Sequence, residues 1–156
     1  CRGLKVVGST SLEYTNPELL KQWDYARNKI KPSEITVNSN KKVWWICTKN
    51  HSWERPINYR TISGNNSPYC SGQLPSKEYN LKKYNPKLAK EWDYKKNKTR
   101  PEEHTPKVHH KVWWLCSSKH SYQASIAHRN GGSGCPICAG RVPDINNNLP
   151  VIFVAT

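Results

Sequence analysis

The chain has no methionine, one phenylalanine and 11 acidic residues against 25 lysines and arginines. Each scarcity excludes something. Hydrophobic residues make up 35 % of 156 positions, and leucine, isoleucine, valine and phenylalanine are too few for one large apolar core. Modules of roughly 60 residues bury little apolar surface and usually need a metal or disulfides as a staple. No apolar run approaches the ~20 residues of a membrane span and no signal peptide is visible, so neither a membrane role nor a secretory route is expected. The few acids are scattered, which argues against the open acidic metal cluster of a nuclease and against an enzyme generally. Without methionine, the chain reads as part of a longer array or as a processed product of one.

What is present is stated twice. Positions 12–60 align without a gap onto 81–129, and 22 of the 49 pairs are identical. The shared text is N-P-x-L-x-K-x-W-D-Y-x-x-N-K-x-x-P, then K-V-W-W-x-C-x-x-x-H-S, then I-x-x-R. Such a period, with Trp, Cys and His in register, marks a small module used in series. Cys1-Arg2-Gly3 matches Cys70-Ser71-Gly72 and Cys138-Ala139-Gly140, as though it closed an earlier copy. The division expected is a remnant and linker at 1–11, a first repeat at 12–73, a linker at 74–80, a second repeat at 81–141 and a tail at 142–156.

The second copy carries a full metal-ligand set, Cys116-x3-His120 followed by Cys135-x2-Cys138. Two short pairs on tight turns, joined by a spacer long enough to run out and back, can converge on one tetrahedral Zn²⁺. These are metal spacings, and no secretory context favours disulfides. In the first copy Cys47-x3-His51 is intact, but Ser67 stands where the first cysteine of the second pair belongs, before Cys70. Serine is a poor zinc ligand at neutral pH. Four readings of this cluster stay open: weak zinc with water in fourth place, an outside ligand, Cys1 as a substitute fourth ligand, or no metal and reliance on packing.

Asn16 or Asn85 as N-cap, then proline at the first helical position, opens a short helix carrying Leu19, Leu20 and Trp23, or Leu88, Ala89 and Trp92. Asp24 and Asp93 either accept backbone hydrogen bonds in the turn or pair with a nearby base. Strands are expected at 42–47 and 111–116, returning at 53–59 and 122–128. Neighbouring tryptophans on a strand face opposite ways. One of each pair, Trp44–Trp45 and Trp113–Trp114, is expected in the core beside the helical Trp. His104, His109, His110 and His128 do not repeat, so they read as surface or anion-contacting residues.

These strings, ending in C-P-x-C-x-G, resemble the tandem zinc-ribbon or treble-clef zinc finger repeat family of bacterial and large-virus proteins. The resemblance runs from Leu12 to Gly140. It implies a small, zinc-stabilised α+β fold of tandem modules, each with a short helix, a β-hairpin and zinc knuckles. It also implies Zn²⁺ on Cys116, His120, Cys135 and Cys138, and in the first copy on Cys47, His51 and Cys70. Nuclease domains that sometimes accompany the family are not in this sequence.

The formal charge of +14 attracts polyanions, nucleic acid first. The function expected is therefore non-catalytic DNA or RNA binding, with no small-molecule substrate. Candidate phosphate contacts are Arg60 and Arg129, taken to end equivalent strands beside the metal. Lys41, Lys42 and Lys111 precede the Trp pairs, and Lys95, Lys96, Lys98 and Arg100 form a basic stretch. The alternative is a structural component of a virion or ribonucleoprotein particle, binding other proteins through the Val-Ile-Phe-Val tail. Either role suits a reducing compartment, cytoplasm or nucleus, or a virion interior.

Overall fold

The computed structural model describes residues 8–64 and 66–143. Cys1 and the Val-Ile-Phe-Val tail lie outside them. The chain divides into two compact units, Cys1–Gln73 and Leu74–Thr156, each a small α+β module.

In the first module a 3₁₀ turn, Gly8–Thr10, leads into α1 (Leu12–Thr15) and α2 (Pro17–Leu20), followed by a 3₁₀ turn at Pro32–Glu34. An antiparallel hairpin of β1 (Lys42–Ile46) and β2 (Ser52–Pro56) then runs into α3 (Ile57–Ser63). The second module repeats the plan with α4 (Leu81–Tyr84), α5 (Pro86–Ala89), a 3₁₀ turn at Pro101–Glu103, β3 (Lys111–Leu115), β4 (Ser121–Ser125) and α6 (Ile126–Asn130). The expected small α+β class is therefore what forms.

Three local expectations are corrected. A helix precedes the expected one in each module, because Ser11 and Asn80 cap it: their side chains accept from the backbone N–H of Tyr14 and Lys83. Asn85 caps α5 by accepting from Leu88 N–H, whereas Asn16 makes no such bond. The returning strands stop at Pro56 and Ser125 and give way to helices α3 and α6. There Ile57 and Arg60, or Ile126 and Arg129, sit three residues apart on one buried face. The repeated I-x-x-R is a helical spacing.

Each core is built around a tryptophan pair. Trp45 and Trp114 have no exposed surface and meet Trp23 and Trp92 edge to face, with ring centroids 5.5 and 5.4 Å apart. Offset or edge contacts suit the aromatic quadrupole and add to simple burial. Leu12, Val43 and Ile57 complete one core, and Leu81, Val112 and Ile126 the other. Trp44 and Trp113 face outward and are half-exposed, as alternation along the strand requires.

The repeated polar residues hold the hairpin against the helical segment. Asn28 donates to the Trp44 carbonyl (2.7 Å) and accepts from its N–H (2.8 Å), acting as a surrogate strand on the edge of β1. Asn97 does the same for Trp113. Asp24 and Asp93 accept from the serine after each metal-type histidine, Ser52 (3.0 Å) and Ser121 (2.8 Å), and from backbone N–H groups of their own turns. For Asp93, burial works against ionisation, but these donors and Lys96 hold its carboxyl below the ordinary range. Asn28 and Asp24 thus bind the edge that a two-stranded sheet would otherwise leave unpaired.

His104 is half-buried under Trp92, with ring centroids 5.4 Å apart and Nε2 2.8 Å from the Thr99 hydroxyl. It is not the surface residue expected, and its counterpart Ile35 is buried. Burial, then the facing His110, push its pKa below the ordinary 6.5, against a smaller opposing pull from Glu103. The native state therefore disfavours the charged ring. Its contribution to stability is present above the unfolded value and is lost as pH falls through the depressed one. His104→Ile should lower the acid sensitivity of the second module, measured as the shift in urea midpoint between pH 7 and 5.5. An unchanged shift would remove His104 from the acid response. Trp114→Ala should cost about 3–5 kcal/mol in the same denaturation assay, and Trp113→Ala distinctly less.

Candidate metal centre

The first ligand pair sits on the turn of each hairpin. Cys47 N–H donates to the His51 carbonyl (3.1 Å) and Asn50 N–H returns to Cys47 O (2.9 Å). Cys116, His120 and Lys119 repeat this at 3.1 and 2.8 Å. Asn50 and Lys119 take positive φ, 60° and 63°, which folds the intervening residues back so that Cys and His point the same way. The second knuckle follows α3 or α6. Ser71 N–H bonds Ser67 O and Ala139 N–H bonds Cys135 O, at 3.0 and 3.1 Å. Gly72 and Gly140 close it in the left-handed region, with φ 72° and 67°. That conformation explains the glycine after each last cysteine.

The ligand atoms converge. In the second module Cys116 Sγ lies 3.8 Å from Cys138 Sγ, and His120 Nδ1 lies 3.2 and 3.8 Å from the sulfurs of Cys138 and Cys135. All four donors fall within 4.8 Å of one another. Zinc bonds of about 2.3 Å to sulfur and 2.0–2.1 Å to nitrogen imply tetrahedral edges of about 3.8 Å for S···S and about 3.5 Å for S···N. The donor set and its spacing therefore fit one Zn²⁺, which when bound supplies a structural cross-link between the knuckles.

The first module presents three corners of the same figure. Cys47 Sγ is 3.5 Å from His51 Nδ1 and 3.6 Å from Cys70 Sγ, and Cys70 Sγ is 3.8 Å from His51 Nδ1. This cluster too fits zinc, with three protein donors. Ser67 is buried beside it and accepts from Cys70 N–H at 3.4 Å.

The environment tunes the thiols unevenly. Hydrogen bonds from Ser118 and then His120 bring the exposed Cys138 down to about 7. For Cys47, burial pushes upward, but hydrogen bonds from the backbone of His51 and Lys49 and from Cys70 and Ser67 bring it to about 7. Burial raises Cys135. Each module thus has one donor readily available as thiolate at neutral pH, Cys47 in the first and Cys138 in the second.

The arginines expected on the surface are inside. Arg60 and Arg129 are 3 % and 8 % exposed. The Arg129 guanidinium lies over Trp114 and Tyr122, 5.5 and 5.8 Å from their centroids, pairs with Glu91 and donates to the Ser133 carbonyl. Arg60 lies over Trp45 and Trp53, at 5.3 and 5.7 Å, and donates to Gln22 Oε1 at 2.5 Å. Both are withdrawn from the candidate phosphate contacts, since a cation stacked in the core cannot reach a polyanion. Lys41, Lys42, Lys95, Lys96, Lys98, Arg100 and Lys111 are exposed. The sequence reading also passed over Arg27, whose guanidinium covers Trp44 at 4.8 Å while the aligned Lys96 covers Trp113 at 4.2 Å. The alignment of Arg27 with Lys96 was the available signal.

Cys135→Ser, which copies Ser67 into the second module, should weaken its zinc affinity by more than the roughly 10–100-fold typical of losing an outer hydrogen bond. A chelator-competition titration measures this. Equal affinity in the two proteins would deny Cys135 a place among the ligands.

The family model described as "Probable Treble clef zinc finger domain" matches the chain twice, over residues 19–73 and 88–141. Among curated proteins none matches. The two spans cover 55 and 54 residues, 109 of 156, and each contains one Cys/His cluster. The chain belongs to the treble clef zinc finger family as a tandem of two modules.

Proposed function

We propose that the chain is a non-catalytic nucleic-acid-binding protein whose modules present their outer hairpin faces to the ligand. The observation that carries this reading is the repeated pairing of a half-exposed tryptophan with a basic side chain: Trp44 under Arg27 and Trp113 under Lys96. Lys42 and Lys111 lie two residues before these tryptophans on the same strand face. Cations supply phosphate contacts, and an aromatic face offers a platform on which an unpaired base can stack, worth ~1–3 kcal/mol per base.

In the second module this face borders a groove of about 440 Å³ lined by Lys96, Lys119, Gln123, Pro136 and Ile137 among others. Its mixture of basic rim and apolar floor suits a base with its phosphate. Two modules in one chain add avidity through linkage. The surplus of cations makes the interaction salt-dependent, because every neutralised phosphate releases counterions.

Fluorescence anisotropy of the zinc-loaded chain with duplex DNA, single-stranded DNA and RNA at ~50 and ~200 mM salt tests the reading. About five neutralised phosphates give a log–log slope near −4.5 on duplex DNA. Arg27→Ala with Lys96→Ala should reduce that slope by about two. Absence of binding at the lower salt would overturn the proposal and favour a component of a large assembly held by protein contacts.

A further inference from the structure

We propose that the first module carries an open metal site whose fourth position takes an external thiolate. Three donors, Cys47, His51 and Cys70, already stand at tetrahedral spacing without a fourth protein sulfur among the described residues. At the missing corner is Ser67, buried at 3 % exposure. A cavity of about 220 Å³ adjoins it, lined by Gln22, Cys47, Thr48, Asn66, Ser67 and Cys70. It leaves room for a ligand atom and part of its side chain.

Charge decides what kind of ligand enters. In the second module three thiolates around Zn²⁺ sum to −1, and Glu91 neutralises the buried Arg129. In the first, two thiolates leave Zn²⁺ at zero, and the buried Arg60 has the neutral Gln22 as its partner. The surroundings are thus +1 instead of −1, two charges more positive. Gln22 both holds Arg60 and lines the cavity, so the excess lies beside the missing corner. Burial, then neighbouring Arg55, disfavours the Arg60 charge, and a buried cation without a counter-ion is costly. An anionic donor entering there restores one charge. A thiolate matches both this preference and zinc's affinity for sulfur. On entry the thiol gives its proton to solvent.

The test is anaerobic cobalt substitution of the full chain, following the thiolate-to-cobalt charge-transfer band with glutathione as probe. Without added thiol, two cobalt ions and five thiolates are expected. Saturating glutathione should raise the band by about one fifth, from five thiolates to six, and imidazole at equal concentration should not displace it. Ser67→Cys should show six thiolates from the start and no response. Should that variant fail to fold, Cys70→Ala should keep the three-thiolate spectrum of the second module and lose the glutathione response. One cobalt per chain, no rise with glutathione, or preference for imidazole would each overturn the proposal. Six thiolates before any addition, reverting to five in Cys1→Ala, would also overturn it by making the fourth donor the chain's own Cys1.

Discussion

Two tight turns, far apart in sequence, bring their donors to within a few ångströms of a common point. Everything else in each module is arranged around that convergence. Cys47 and Cys70 are 23 residues apart, Cys116 and Cys138 are 22 apart, and their sulfurs stand 3.6 and 3.8 Å from each other. In a module with two or three buried tryptophans and a handful of aliphatic residues, a shared metal substitutes for the apolar area that is lacking. It also closes α3 or α6 back onto the hairpin turn.

The remaining repeated residues build the walls. Asn28 and Asn97 complete the exposed edge of a two-stranded sheet, and Asp24 and Asp93 link the helical segment to the serine beside the ligating histidine. Buried arginines stack on the tryptophan core. Against this plan the first module lacks several elements. Ser67 replaces a ligand, Gln22 replaces the counter-ion of Arg60, and among the described residues the indole N–H of Trp23 has no partner while that of Trp92 donates to Thr99 O. Two of these losses, Ser67 and Gln22, meet at one corner, which makes the first module a different site as well as a weaker copy.

Much of this was legible in the residues. Cysteine and histidine spacing is dictated by turn geometry and metal coordination, so the ligand sets follow from the order of the chain. Alternation along K-V-W-W likewise separates the buried Trp45 and Trp114 from the outward Trp44 and Trp113. What was not legible depended on tertiary context. Arginine is usually a surface residue, and nothing local says that Arg60 and Arg129 stack on tryptophan. Helices α3 and α6 are too short to show more than one apolar recurrence, so a strand was the equal reading. His104 is half-buried because Trp92 covers it, and its aligned residue Ile35 was the clue that its environment is apolar.

The central claim is that both modules are metal-stapled, the second through three sulfurs and the first through two. Zinc X-ray absorption spectroscopy on the full chain, prepared anaerobically without added thiol, tests this most directly when combined with a zinc count. Five cysteine sulfurs, Cys47, Cys70, Cys116, Cys135 and Cys138, shared between two ions give an average of 2.5 sulfurs per zinc. Two zinc ions per chain with that average is the expected result. One zinc per chain with three sulfurs would mean that the first module folds by packing alone, and would contradict a metal staple in both modules.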